Sequence, residues 1–298
     1  MTPTVTILTY CAHPALAYGT MLVFKTLRTG FPTARIEIYD NGSHPEVREQ
    51  IMMACAEVDA DFTAMEPRHW VEHYRWLLLE REHDGSPLVV LDPDVALWEN
   101  VEGWDFGDAL MAGRLMREAQ EGPITSHPRL HPSMLWIPDV QRLRARLDPG
   151  DIAPQLMAEG GRVHFWDTLA VAYQRNAAEC AAFEAEHLDC YDHLFFGAHL
   201  PLIDALAGES LDAIRAGHRA VAAGDLAAFR GAWRAQEEAF NRPRVAGVPQ
   251  DVAAAQAAMP GRILASLREI QDRQGLGYTD DELRAALASL QSRMRPSA

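Results

Sequence analysis

Over residues 1–100 apolar positions alternate between strand-like and helix-like spacing. Thr4 to Thr9 (TVTILT) is a β-branched run that predicts a buried strand. Thr20 to Arg28 predicts a helix with Met21, Leu22, Phe24 and Leu27 inward, and Pro32 ends that segment. Arg35 to Tyr39 alternates as a second strand and enters Asp40-Asn41-Gly42-Ser43, all turn-forming types. A helix begins near Pro45 and reaches Cys55. Another, Arg68 to His83, carries Trp70, Tyr74, Leu77 and Leu78 at helical spacing. Gly85-Ser86-Pro87 breaks it, and Leu88-Val89-Val90-Leu91 is a fully apolar strand. Strand–helix–strand–helix–helix–strand implies a parallel sheet covered by helices.

Residues 105–200 are mixed and rich in Pro, Trp and His, with a strand at Ser133 to Ile137 and a short helix at Val140 to Leu147. From about Leu202 alanine dominates and helical patterns run to Arg295. The chain therefore divides, as an expectation, into an α/β domain over 1–202 and an all-helical part over 203–298. No repeat of fixed period interrupts that division.

Composition narrows the class. With 298 residues, 48% of them hydrophobic, the chain can bury a full core. A net charge of −15 argues against a general nucleic-acid binder, which needs a basic footprint. Cys11, Cys55, Cys180 and Cys190 form no C-x-x-C pair, so they read as reduced thiols. The first residues lack a signal-peptide layout, and no apolar run approaches the ~20 residues of a membrane span. The expected location is the cytoplasm.

The most informative segment is Asp92-Pro93-Asp94 at the end of the apolar strand. Carboxylates two residues apart can face the same way, ~6–7 Å apart at the backbone. They offer hard oxygen ligands to Mn²⁺ or Mg²⁺, which in turn grip a diphosphate. Open α/β sheets gather ligands at the carboxyl ends of their strands. The bland alternative is a plain Asp-Pro turn. Asp40 ends the earlier strand and can meet a base or ribose, against the alternative of an Asx turn, while Gly42 permits close backbone approach.

Together these segments and the first strand resemble the sugar-nucleotide half of GT-A glycosyltransferases, particularly the family 2 type, over about residues 4–100. That resemblance implies a Rossmann-like, mostly parallel sheet flanked by helices, and metal-dependent transfer of a sugar from a nucleotide diphosphate donor, a UDP-sugar first. It implies that Asp40 recognises the nucleoside, that Thr9 and Tyr10 lie at base and ribose, that Asp92 lies near the sugar, and that Asp94 is the main metal ligand. Arg75 would touch sugar or phosphate, or else form a surface salt bridge. The family also brings a late histidine to the metal. His193 and His199 both qualify, with His199 preferred after Gly197.

Asp167, after Trp166 and before a helix, resembles the acidic base of inverting members but lacks their paired Glu-Asp. The alternative is a helix N-cap at Asp167. His127, His131 and Trp136 are expected on the side of an acceptor whose identity is unknown. The C-terminal helices would cover that acceptor or join copies of the chain. Two rivals stand beside this reading. A nucleotidyltransferase would want a Gly- and Arg/Lys-rich loop after the first strand, which Tyr10-Cys11-Ala12-His13-Pro14 is not. A non-catalytic scaffold of the same fold would bind a partner through its helical tail.

Overall fold

The computed structural model describes residues 1–11, 18–68, 70–121, 124–159 and 162–193, and beyond them 227, 230–231, 264, 268 and 277–285. Contacts separate the chain into two units. One comprises Met1–Tyr10, Val23–His193 and Gln291–Ala298, the other Cys11–Leu22 and Leu194–Leu290. In the second unit Leu264 and Leu283 are buried and residues 280–285 are helical. The expected boundary at 202/203 lies outside the described residues.

The described chain begins as its patterning predicts: β1 (Thr4–Thr9), α1 (Tyr18–Gly30), β2 (Arg35–Asp40) and α2 (Pro45–Glu57). Pro45 opens α2, and Val47, Ile51 and Cys55, four apart, are its buried face. A short strand β3 (Asp61–Ala64) follows. The expected helix 68–83 is shorter and of two kinds. α3 (Trp70–Arg75) passes into a π-helical turn over Trp76–Glu80, closed by the Arg81 amide on Trp76 O at 2.8 Å. The change of pitch keeps Leu77 and Leu78 buried.

β4 (Leu88–Leu91) is buried at every residue. β5 (Val95–Leu97), β6 (Ala112–Met116), β7 (Ala119–Glu121), β8 (Ile124–Ser126) and β9 (Arg129–Ile137) follow. Then come α4 (Val140–Arg144), β10 (Gln155–Glu159), β11 (Arg162–Trp166), α5 (Ala170–Asn176), β12 (Ala181–Ala182), α6 (Ala185–Leu188) and β13 (Tyr191–His193).

The central sheet has seven strands in the order β12-β6-β9-β4-β1-β2-β3. β3, β2, β1 and β4 run parallel, β9 is antiparallel to both neighbours, and β12 is parallel to β6. The fold is mixed α/β with a mostly parallel sheet flanked by helices, which fits a Rossmann-like GT-A core. A second sheet runs β10-β11-β8-β7, and β13 pairs with β5 alone.

β4 is apolar throughout because both its faces are covered. Leu88 and Val90 join Val71, Leu77, Leu78, Leu135, Ile137 and Leu143 in one core. Val89 lies opposite Trp136, whose ring packs against Phe31, Trp104 and Phe106. Trp136 is 2% exposed, so it belongs to the core and not to the acceptor side where it was expected.

Candidate metal and donor site

Three parallel strands bring the site together by ending at one edge. β1 pairs Ile7 with Leu91, so β1, ending at Thr9, and β4, ending just before Asp92, finish on adjacent strands at the same edge. Across β4, Leu91 pairs with Met134, and the Asp92 amide donates to Ser133 O at 2.8 Å. The antiparallel run of β9 therefore sets its first residues, Arg129 and His131, beside the end of β4.

Asp92-Pro93-Asp94-Val95 is a tight turn, with the Val95 amide on Asp92 O at 3.2 Å. It feeds directly into β5. β5 pairs with β13, and Val95 lies opposite His193. That pairing closes the site: His193 Nε2 is 3.1 Å from Asp94 Oδ1. One ligand atom from each of Asp92, Asp94 and His193 lies within 4.8 Å of the others. Among the described residues no other group of three such side chains qualifies. His199, the preferred histidine of the sequence reading, lies outside the described residues.

The electrostatics of this group are those of crowded charge. Burial, then the neighbouring Asp94, raises the Asp92 carboxyl well above the usual range, with His193 pulling the other way. Burial lowers His193, but Asp94, by charge and hydrogen bond, and then Asp92 outweigh it and raise the imidazole. His131 lies edge-on to His193 at 5.2 Å between ring centres. Burial and the charges of His193, Arg129 and Arg114 push it down to about 3, so it is neutral at pH 7. Its Nδ1 accepts the Ser133 amide at 3.2 Å, which leaves the proton on Nε2.

Two carboxylates and an imidazole fit a divalent cation on their chemistry. The oxygens suit Mg²⁺ or Mn²⁺, and the nitrogen favours Mn²⁺. Repulsion between the buried carboxylates is what such an ion would relieve.

Thr9 is 1% exposed, and its Oγ1 has no hydrogen-bond partner among the described residues. Tyr10 follows, half-buried. Asp40 has no exposed surface. Its oxygens receive the Ser43 amide at 3.2 Å and Arg48 Nε at 3.0 Å, so the side chain holds the turn. Gly42, at φ +80, supplies the left-handed step, and a Cβ there would meet Pro67 at 2.5 Å. Arg75, the last residue of α3, donates from Nε to Pro149 O at 3.2 Å.

Asp167 comes toward the group from β11. Its Oδ2 is 3.1 Å from Arg129 Nε, and its charge is felt by both Asp92 and Tyr74. It is not the cap of α5: that helix begins at Ala170, and Leu169, at φ +59, holds the N-cap place. Asp167 instead accepts the Thr168 amide at 2.9 Å. Arg114, at the irregularity where β6 slips register against β9, is an exposed cation without an ion pair among the described residues. Its charge reaches His131, His193 and Tyr191. The sequence offered no sign of Arg114 or Arg129, because strands distant along the chain place them.

No protein-family model matches the chain. No curated protein matches it either. Among solved structures it is similar to the galactosyltransferase LgtC, solved with donor and acceptor sugar analogues, at 13% identity and a TM-score of 0.42 over 61% of this chain and 73% of that one. It is similar to the glycosyltransferase GlyE of Streptococcus pneumoniae TIGR4, at 12% identity and 0.42 over 63% and 46%. It is also similar to the mannosyltransferase PcManGT of Pyrobaculum calidifontis, solved with GDP-Man and Mn²⁺, at 12% identity and 0.39 over 97% and 80%. All three are glycosyltransferases.

Proposed function

We propose that this chain transfers a sugar from a nucleotide diphosphate donor, a UDP-sugar first, to an acceptor hydroxyl. The observation that carries the reading is the convergence of Asp92, Asp94 and His193 within 4.8 Å at the carboxyl end of β4. Those three side chains would hold Mn²⁺ or Mg²⁺. When bound, the ion supplies positive charge that neutralises the departing diphosphate.

The remaining work falls to the chain. Thr9 Oγ1 and the half-buried Tyr10 lie at the strand end where the nucleoside is seated, and Arg114 presents a cation on the side of His193. With Asp40 enclosed by Ser43 and Arg48, it shapes the donor side by fixing the turn. In an inverting transfer Asp167 takes the acceptor proton, and Arg129 holds its carboxylate in place. The acceptor O–H bond breaks as its oxygen bonds to the anomeric carbon. The bond from that carbon to the diphosphate oxygen breaks, and its electron pair leaves with the diphosphate.

A thermal-shift screen of UDP-, GDP- and TDP-sugars with and without Mn²⁺ tests this. A metal-dependent rise in melting temperature with at least one donor, UDP-sugars foremost, is expected. No shift with any donor would count against the transferase.

A further inference from the structure

Beside the candidate base lies a cluster of rings that the donor and metal reading leaves unused. β8 and β11 run parallel and pair Ser126 with Phe165. One residue further, His127 and Trp166 leave the two strands together. Their rings are stacked face to face, 4.1 Å between centres and 8° from parallel. His164, on the same side of β11 as Trp166, completes the group: its ring centre is 5.2 Å from that of His127, and its Nδ1 is 3.0 Å from His127 Nε2. Trp166 Nε1 donates to Gln174 Oε1 at 3.2 Å. These bonds fix the ring planes, and all three rings stay partly exposed.

The order along both strands is informative. On β11, Trp166 is followed at once by Asp167. After β8, His127 is followed by Arg129, which pairs with Asp167, then by His131 beside His193. The stack, the carboxylate and the metal-ligand group are thus met in sequence along the same pair of segments.

We propose that the His127–Trp166–His164 stack is the acceptor subsite and that it takes a pyranose ring through its C–H face. Flat, preformed aromatic faces complement the axial C–H surface of a sugar, and the polar ring edges suit its hydroxyls. A pyranose lying on the stack reaches Asp167 with a hydroxyl from the ring's edge. This assignment rests on the transferase reading and names the acceptor class that reading leaves open.

The test uses the full chain with Mn²⁺ and UDP present, and methyl β-D-galactopyranoside, methyl β-D-glucopyranoside and methyl α-D-mannopyranoside as probes. Saturation-transfer NMR reports binding, and calorimetry reports UDP affinity on the same samples. At least one pyranoside is expected to bind with saturation concentrated on the C–H protons of one ring face. Trp166→Ala and His127→Ala should each weaken that binding about 10-fold or more, the scale of one lost aromatic stack. Trp166→Phe should retain it, and UDP affinity should stay unchanged in all three. Where Trp166→Ala does not melt cooperatively, His127→Ala decides. Unchanged pyranoside binding in folded variants overturns the subsite, and so does no pyranoside binding in a wild type that binds UDP. Pyranoside binding that is lost in the variants while UDP never binds with Mn²⁺ upholds the carbohydrate subsite and sinks the transferase reading.

Discussion

Glu37 lies in the middle of β2 with its side chain 4% exposed, where a carboxylate needs a partner. Arg81, 15% exposed, supplies one at 2.6 Å. Its guanidinium also lies over the rings of Tyr39 and Trp76, at 5.4 and 5.8 Å, and its Nη1 donates to Thr6 Oγ1 at 3.3 Å. The cluster ties the first two strands of the site, β1 and β2, to the π-helical turn. Arg81→Met keeps most of the bulk and removes the charge. Breaking a buried ion pair from one side costs about 3–5 kcal/mol. Arg35 remains 3.2 Å from the other Glu37 oxygen but is 60% exposed, and an exposed pair returns only about 0–1 kcal/mol. Loss of the ring contacts adds about 0.5–1 kcal/mol. The net expectation is about 4 kcal/mol of destabilisation. Adding Glu37→Gln removes the stranded charge and should recover about half of it. Guanidinium unfolding of the wild type, both single variants and the double variant, compared at equal m, measures the cycle. A loss under about 1 kcal/mol for Arg81→Met, or strict additivity in the double variant, would mean that the Arg81–Glu37 pair does not hold β2 to the π-helical turn.

Two further outcomes follow from the site and the core. Asp167→Asn should lower turnover about 10²-fold with donor affinity little changed, because the amide keeps the shape but cannot take the acceptor proton; near-normal kcat in a stable variant removes Asp167 as the base. Burial pushes the thiols of Cys55 and Cys180 up to about 11, above the ordinary ~8.5. The folded state then holds those protons more tightly, so their contribution is complete below about pH 8.5 and is lost as pH rises toward 11. Melting temperature should fall across that window, and less steeply in Cys55→Ala/Cys180→Ala; an unaltered slope contradicts it.

What the sequence announced was local. The β1 run, the RIEIY alternation and the all-apolar β4 are patterns that a strand must show when one or both faces are covered, and each lies where it was expected. What it concealed was decided by partners far along the chain. β10 (QLMAE) and β7 (AQE) are built of helix-forming residues and are strands only because β11 and β8 pair with them. β5 has three residues and gains its place from β13, which is how His193 comes to Asp94 at a sequence separation of 99. Periodicity also marked Trp136 and the helix 68–83 as apolar without telling core from binding face, or α from π pitch. Asp40 shows the limit of motif reading: the Asp-Asn-Gly-Ser types were legible, while the burial and the Arg48 pairing were not.

If Asp92, Asp94 and His193 hold a divalent ion against a nucleotide diphosphate, as proposed, donor binding must depend on that ion. Isothermal titration of UDP into the wild type and Asp94→Ala, each with Mn²⁺ and again with EDTA, tests it most directly. The wild type is expected to bind only with Mn²⁺, and Asp94→Ala to lose at least about 10-fold, roughly one charge-assisted ligand's worth, with the melting curve intact. Equal UDP affinity with and without Mn²⁺, or an Asp94→Ala protein that binds as the wild type does, would contradict it.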